Sequence, residues 1–222
     1  MGKNKIMYWN IIDEKRKQIL SKIDETISLP NYYMIGGTAL SLQLGLRESF
    51  DFDFCVPNKF NNYVLISELR KIGNDFKIIT NEEDTCDVII DDVQVSFFYF
   101  PNKIIENLVI DSNLKNIKLA NVFDIAIMKI NAIGGRGEKK DFFDLYFILQ
   151  KYNFTSKKLA EGLIMKYGNE VNYQNILMGL SYFEDAEEQN LPRTFVEYDW
   201  DKIKNFFEIF QKEMVNEFNK IF

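Results

Sequence analysis

MIGGTALSLQLGLRESFDFDF, residues 34 to 54, is the stretch whose reading decides the fold. A short apolar strand over 32–35 runs into Gly36-Gly37-Thr38, a helix over 38–44 follows, and a strand over 50–56 carries Asp51 and Asp53. Side chains at i and i+2 of a strand point to the same face. Phe50, Phe52 and Phe54 are therefore expected on one side, with Asp51 and Asp53 on the other. Two adjacent carboxylates repel, and a sheet face gains nothing from the pair unless a cation sits between them. A hard divalent ion such as Mg²⁺ favours two such oxygens and commonly reaches a protein with a nucleotide's phosphates. The glycines let backbone approach those phosphates closely, and the helix start after them is an anion site. The competing reading is an exposed strand with two polar positions; the strand-Gly-Gly-Thr-helix unit just upstream tips the balance toward the metal.

The rest of the chain sets limits on that chemistry. At 222 residues it is long enough for one large domain or two small ones, and 20 Phe and 11 Tyr supply a core. No apolar run approaches the ~20 residues of a membrane span. The start MGKNKIMYWNIIDEKRKQ has no secretory signal, which gives an expected cytoplasmic address; its Met-Gly lacks the Ser or Thr that a myristoylation signal prefers. Cys55 and Cys86 are too few for a zinc site and read as core residues of a reduced protein. There is no histidine. That excludes Ser-His-Asp and Cys-His nucleophiles, His-ligated zinc hydrolases and His-Asp phosphohydrolases. Catalysis must run on carboxylates, Lys, Arg, hydroxyls and bound metal.

Charge is unevenly spread over a net −6: residues 101–140 carry 7 basic and 4 acidic groups, while the segments on either side are both acidic. The pattern of elements is α+β. A helix over 10–28 carries Ile12, Ile19, Leu20, Ile23 and Ile27 on one face. A helix over 60–72 and strands at 76–80, 86–90 and 93–100 complete a mixed sheet with flanking helices. Asp91-Asp92 suits a tight hairpin between the last two strands. From residue 103 the chain reads as mostly helical, with helices at 121–135, 138–151, 156–167, 170–181 and 201–219. The expected division is therefore a sheet lobe over 1–102 and a helical lobe over 103–222, with the active cleft between them. In the last helix Ile203, Phe206, Phe207, Phe210 and Met214 form a stripe read as core.

A second constellation lies in IKLANVFDIAIMKINAIGGRGEKKDFFDLYFIL, residues 117 to 149. Lys129 sits among Ile125, Met128, Ile130 and Ile133, an awkward place for a charge unless it reaches an anion or a carboxylate. Asp141 and Asp144 share a helix face at i, i+3, and a simple Lys140–Asp144 pair at i, i+4 is an equal alternative for Asp144. Lys129, Arg136 and Lys139 together read as phosphate or RNA contacts.

With both constellations in register, the chain resembles the nucleotidyl transferase AbiEii/AbiGii toxin family of abortive-infection toxin–antitoxin systems. The matching stretches are IGGTALSLQLGLRESFDFDFC, DVQVSFFYFP, LANVFDIAIMKINAIGGRGEKKDFFDLYFIL and LPRTFVEYDWDKIKNFF. The resemblance implies a bilobed enzyme with a polymerase-β-like nucleotidyltransferase lobe. It further implies Mg²⁺ with an NTP substrate, an RNA (such as tRNA) or protein acceptor, and control by a cognate antitoxin. Carried over residue by residue, it gives Gly36, Gly37, Thr38 and Ser49 to the triphosphate and Asp51 and Asp53 to the metal. Lys129 and Arg136 go to phosphate, and Asp141 or Asp144 to the catalytic centre. One departure stands out: nucleotidyltransferases commonly carry a third carboxylate on the strand beside D-x-D, and Val93-Gln94-Val95-Ser96-Phe97 holds none. That departure supports a rival reading, a degenerate nucleotide- or partner-binding module; a second rival is a small-molecule transferase of the antibiotic-modifying kind.

Overall fold

Alternating apolar residues in four short runs find their common face in one sheet. The computed structural model describes residues 7–221, so the Met1-Gly2 signal reading lies outside it. Among the described residues, β1 (Tyr33–Ile35), β2 (Phe52–Val56), β3 (Phe76–Glu82), β4 (Thr85–Ile90), β5 (Val93–Tyr99) and β6 (Lys118–Leu119) form a mixed sheet ordered β3-β4-β5-β2-β1-β6. β3, β4 and β5 make an antiparallel meander, β5 pairs parallel with β2, and β1 is antiparallel to β2 but parallel to β6. The β4–β5 turn is Asp91-Asp92, with φ of 47° and 64° at its two residues. Left-handed backbone at both positions is what a two-residue hairpin matching the strand twist demands, and aspartate tolerates it better than most residues.

The buried face of the sheet carries Phe52, Phe54, Val88, Val95 and Phe97, with the Phe54 and Phe97 rings stacked at 4.8 Å and Tyr32 packed edge-on to Phe54. Helix α1 (Glu14–Thr26) buries Ile19, Leu20 and Ile23. It is shorter than the 10–28 expected from periodicity. Asp13 caps it by accepting from the Arg16 amide at 2.8 Å, and residues Trp9–Ile11 form a separate 3₁₀ turn. Helix α2 (Gly36–Leu44) ends at Gly45 in left-handed backbone, and α3 (Asn62–Leu69) follows β2.

Tertiary contacts divide the chain into two units. One takes the chain up to Asn102 together with Asn107–Asn121, and the other takes Lys103–Glu106 and the chain from Val122 onward. Residues 103–121, assigned from sequence to the helical lobe, are irregular chain, and part of it returns to add β6 to the sheet edge. Asp24 of α1 anchors that return. Its carboxylate accepts from the Lys115, Asn116 and Ile117 amides at 2.7, 2.8 and 2.7 Å.

The second unit is helical: α4 (Val122–Gly135), α5 (Lys139–Tyr152), α6 (Ser156–Tyr167), α7 (Tyr173–Gly179), α8 (Glu184–Glu187) and α9 (Trp200–Ile221). The single helix expected over 170–181 is the shorter α7, and α8 was not legible because four residues show no period. The α9 stripe is core, with Ile203, Phe207, Phe210 and Met214 buried and the Phe207 ring 5.1 Å from Phe142 of α5. Asp124 of α4 accepts from the Ile105 and Glu106 amides and from Lys166 Nζ at 2.8 Å, which fastens the 103–106 segment to this unit. No helix among the described residues is long and apolar enough to cross a membrane.

Candidate active site

β1 delivers the chain to Gly36 at its C-terminal end, where the backbone takes φ +73° and turns directly into α2. Helix α2 thus starts at Gly36, two residues before the sequence expectation. Pairing of Ile35 with Asp53 across β1 and β2 sets the carboxylate beside that turn. A Cβ on Gly36 would lie 2.5 Å from Asp53 Oδ2, and one on Gly37 would lie 2.8 Å from Ser49 Oγ and 3.0 Å from Arg47 Nη2. Only glycine permits both the left-handed φ and this close packing of backbone on carboxylate, hydroxyl and guanidinium.

Three sequence expectations change here. β2 begins at Phe52, so Asp51 lies one residue before the strand and is exposed, whereas Asp53 is half-buried. Phe50 does not join Phe52 and Phe54 in the core: it is 42% exposed, lies 4.8 Å from the Arg16 guanidinium, and its carbonyl accepts from Arg16 Nε. The alternation fails at 50 because the chain there is not yet paired with a neighbouring strand. Thr38 is also not a free hydroxyl for phosphate. It is buried and donates to the Asp51 carbonyl at 2.5 Å, fixing the backbone that presents Asp51.

Residues that sequence reasoning missed stand beside this turn. Arg47 is 2% exposed, donates from Nη1 to the Glu48 carbonyl at 2.9 Å, and brings a permanent cation against Gly37. Asp53 pairs with Ser96, and Ser96 in turn with Asp87, so the three side chains share one sheet face across β2, β5 and β4. Asp87 Oδ1 is enclosed without a hydrogen-bond partner. The next acid on that face is thus two strands from Asp53, roughly 10 Å away in backbone terms, too far to share an ion with it directly. Among the described residues, no group of three or more His, Cys, Asp or Glu is disposed to hold a metal. The signals in the sequence were a lone Asp inside CDVII and an Arg between two apolar segments.

The second constellation condenses into a buried ion network within the helical unit. Lys129 Nζ lies 2.7 Å from Asp141 Oδ1 and 2.7 Å from Asp144 Oδ2, and all three side chains are nearly solvent-free. Arg136 adds Nε and Nη2 contacts to Asp141 at 2.9 and 3.2 Å. Burial alone would raise the Asp141 pKa, but Lys129 and Arg136 overcome it and hold the carboxyl down at about 2. Several expectations change accordingly. Lys129 finds carboxylates rather than standing ready for phosphate. Asp141 and Asp144 are sealed from solvent and do not line an open cleft. Asp144 pairs with Lys129 and not with Lys140, whose Nζ goes to Glu138 at 2.7 Å. Lys139 Nζ donates to the Glu187 carbonyl and lies 4.9 Å from the Trp200 ring.

Comparison with known proteins follows the same lines. The sequence profile described as nucleotidyl transferase AbiEii toxin, type IV TA system, matches residues 18–220. An uncharacterised protein of Aquifex aeolicus (strain VF5), aq_aa25, is 32% identical over 204 residues, covering 91% of this chain and 97% of that one. The fold is similar to that of MenT4, a nucleotidyltransferase toxin of Mycobacterium tuberculosis H37Rv, with a TM-score of 0.59, 13% identity and coverage of 90% and 82%. It is also similar to that of JHP933 from Helicobacter pylori, with a TM-score of 0.53, 16% identity and 97% of each chain covered.

Proposed function

Because this chain belongs to the nucleotidyl transferase AbiEii toxin family of type IV toxin–antitoxin systems, we propose that its Gly36-Gly37 turn and Asp51/Asp53 pair transfer a nucleotide from an NTP to an RNA or protein acceptor. In this reading the sheet-bearing unit is the nucleotidyltransferase lobe and acts in the cytoplasm, where NTPs are available. The observation that carries it is the approach of Gly36 to Asp53, where a single methyl group would collide with Oδ2 at 2.5 Å. Only a residue without a Cβ can stand there, so backbone and carboxylate come together at the start of a helix.

In this reading Asp51 and Asp53 would offer one Mg²⁺ two hard carboxylate oxygens, with triphosphate oxygens to complete the shell. Bound there, the ion would neutralise charge on the phosphates during displacement at the α-phosphorus. The protein's own groups do the rest. Gly36 and Gly37 admit phosphate close to backbone amides at the head of α2. Arg47, fixed by burial, supplies positive charge beside that turn without cost of reorganisation. Thr38 holds the Asp51 backbone in place. Catalysis in such a site is positioning and charge neutralisation. Lys129, Asp141 and Asp144 act first as a neutralised quartet with Arg136 that fixes α4 against α5.

Incubation with each labelled NTP, Mg²⁺ and total RNA tests the reading. Label on RNA or on protein supports it and names the acceptor class. Label on small molecules would move the chain to the antibiotic-modifying kind. Nucleotide bound but nowhere transferred would favour the degenerate binding module, in keeping with the acid-free Val93-Gln94-Val95-Ser96-Phe97 strand. Expression in cells adds the biological readout: growth arrest by the wild type, relieved by a cognate antitoxin.

A further inference from the structure

We propose that β3 pairs edge to edge with β3 of a second copy of this chain, giving a two-fold dimer through one continuous sheet. β3 is a terminal strand of the sheet, and Ile78, Ile79, Lys77, Asn81 and Glu82 are all exposed along it. An uncovered edge of this kind is a template for strand addition.

The backbone pattern can be worked out residue by residue. The Asp91 amide donates to the Asp75 carbonyl, and the Tyr99 amide to the Asp84 carbonyl. Odd-numbered residues of β4 therefore bond to β3 and even-numbered ones to β5. Lys77, Thr80 and Glu82, which face Ile89, Asp87 and Thr85, are the residues of β3 used by its own ladder. Phe76, Ile78 and Asn81 turn their N–H and C=O groups to the free edge.

The irregularity between Ile78 and Thr80 then becomes informative. Lys77 and Glu82 are five residues apart and would lie on opposite faces of a regular strand. The extra residue at Ile79 puts both on the face shared by Ile89 and Thr85. A two-fold axis normal to the sheet, centred between Ile79 and Thr80, sets Ile78 opposite the second copy's Asn81. These are the outward-turned residues that such a pairing needs. The same axis sets Lys77 opposite the second copy's Glu82 on one face, and symmetry repeats the pair. Bulges and edge charges ordinarily prevent edge pairing. Here the bulge instead makes the charges self-complementary. Neither Lys77 nor Glu82 takes part in an ion pair among the described residues, whereas the adjacent Glu83 is held by Lys59 at 2.7 Å.

Sedimentation velocity on the full chain over a concentration series is the test, with a weak, concentration-dependent dimer expected from an interface of this size. Lys77→Glu and Glu82→Lys each turn two attractive cross-strand pairs into repulsive ones and are expected to raise the dissociation constant about tenfold. The double variant Lys77→Glu/Glu82→Lys restores complementarity and is expected to dimerise like the wild type. A wild type that stays monomeric at every concentration overturns the proposal. So does a dimer that either single variant leaves intact, or one that the double variant fails to restore.

Discussion

Lys129→Met keeps side-chain bulk in α4 but removes an ammonium 2.7 Å from both Asp141 and Asp144, which are 0% and 1% exposed. Breaking a buried ion pair by deleting one partner typically costs about 3–5 kcal/mol, because the opposite charge remains in low dielectric. Arg136 stays on Asp141, so the expected loss is at the lower end, about 3 kcal/mol. Two units need not unfold together, and a probe specific to the helical one is required. Trp200 opens α9 and lies 6.0 Å from the Phe142 ring, whereas Trp9 belongs to the other unit. Urea unfolding followed by Trp200 fluorescence in a Trp9→Phe background therefore reads the helical unit by itself. Asp144→Asn added to Lys129→Met removes one of the two like charges and is expected to recover part of the loss. If Lys129→Met lowered stability by less than about 1 kcal/mol, the quartet would not be what fixes α4 to α5.

Three further outcomes follow from the geometry. The Asp141 pKa is depressed in the folded chain to about 2, against an ordinary 3.8. Its contribution, about 2 kcal/mol, is fully present above pH ~4 and is lost as pH falls toward ~2, so Asp141→Asn should flatten acid unfolding over that window. Gly36→Ala should abolish transfer and cost about 1–3 kcal/mol through its left-handed φ and the clash with Asp53, whereas Gly135→Ala, with nothing within 4 Å of its new methyl, should do neither. Asp24→Ala removes the acceptor of three backbone amides and should cost about 3 kcal/mol, read by denaturation and by faster amide exchange at residues 115–117.

Much of the fold could be read from local signals of known physical origin. The Asp91-Asp92 hairpin, the Gly45 helix stop and the α9 stripe follow from backbone handedness and helical period, which neighbouring residues alone determine. β6 escaped because two residues, Lys118–Leu119, carry no period and exist as a strand only through pairing with β1. The reading of Asp51 and Asp53 as an intrastrand pair overran by one residue because alternation does not show where pairing begins. Arg47 and Asp87 were missed for a related reason. Each is an unremarkable polar residue in sequence and comes near the Gly36-Gly37 turn or onto the Asp53 face only through packing against Gly37 or register with Ser96. Lys129 was recognised as anomalous within an apolar helix, but which anion it meets depends on how α5 lies against α4.

The most direct measurement compares the wild type with Asp51→Asn and Asp53→Asn for incorporation of α-labelled nucleotide into an acceptor in the presence of Mg²⁺, with each protein's unfolding curve recorded beside it. Incorporation by the wild type, its loss in both variants and unfolding midpoints close to the wild type are the expected result. Removing one of two neighbouring negative charges leaves the fold little changed. Transfer that survives both substitutions would place the chemistry elsewhere in the chain and contradict the assignment of this site.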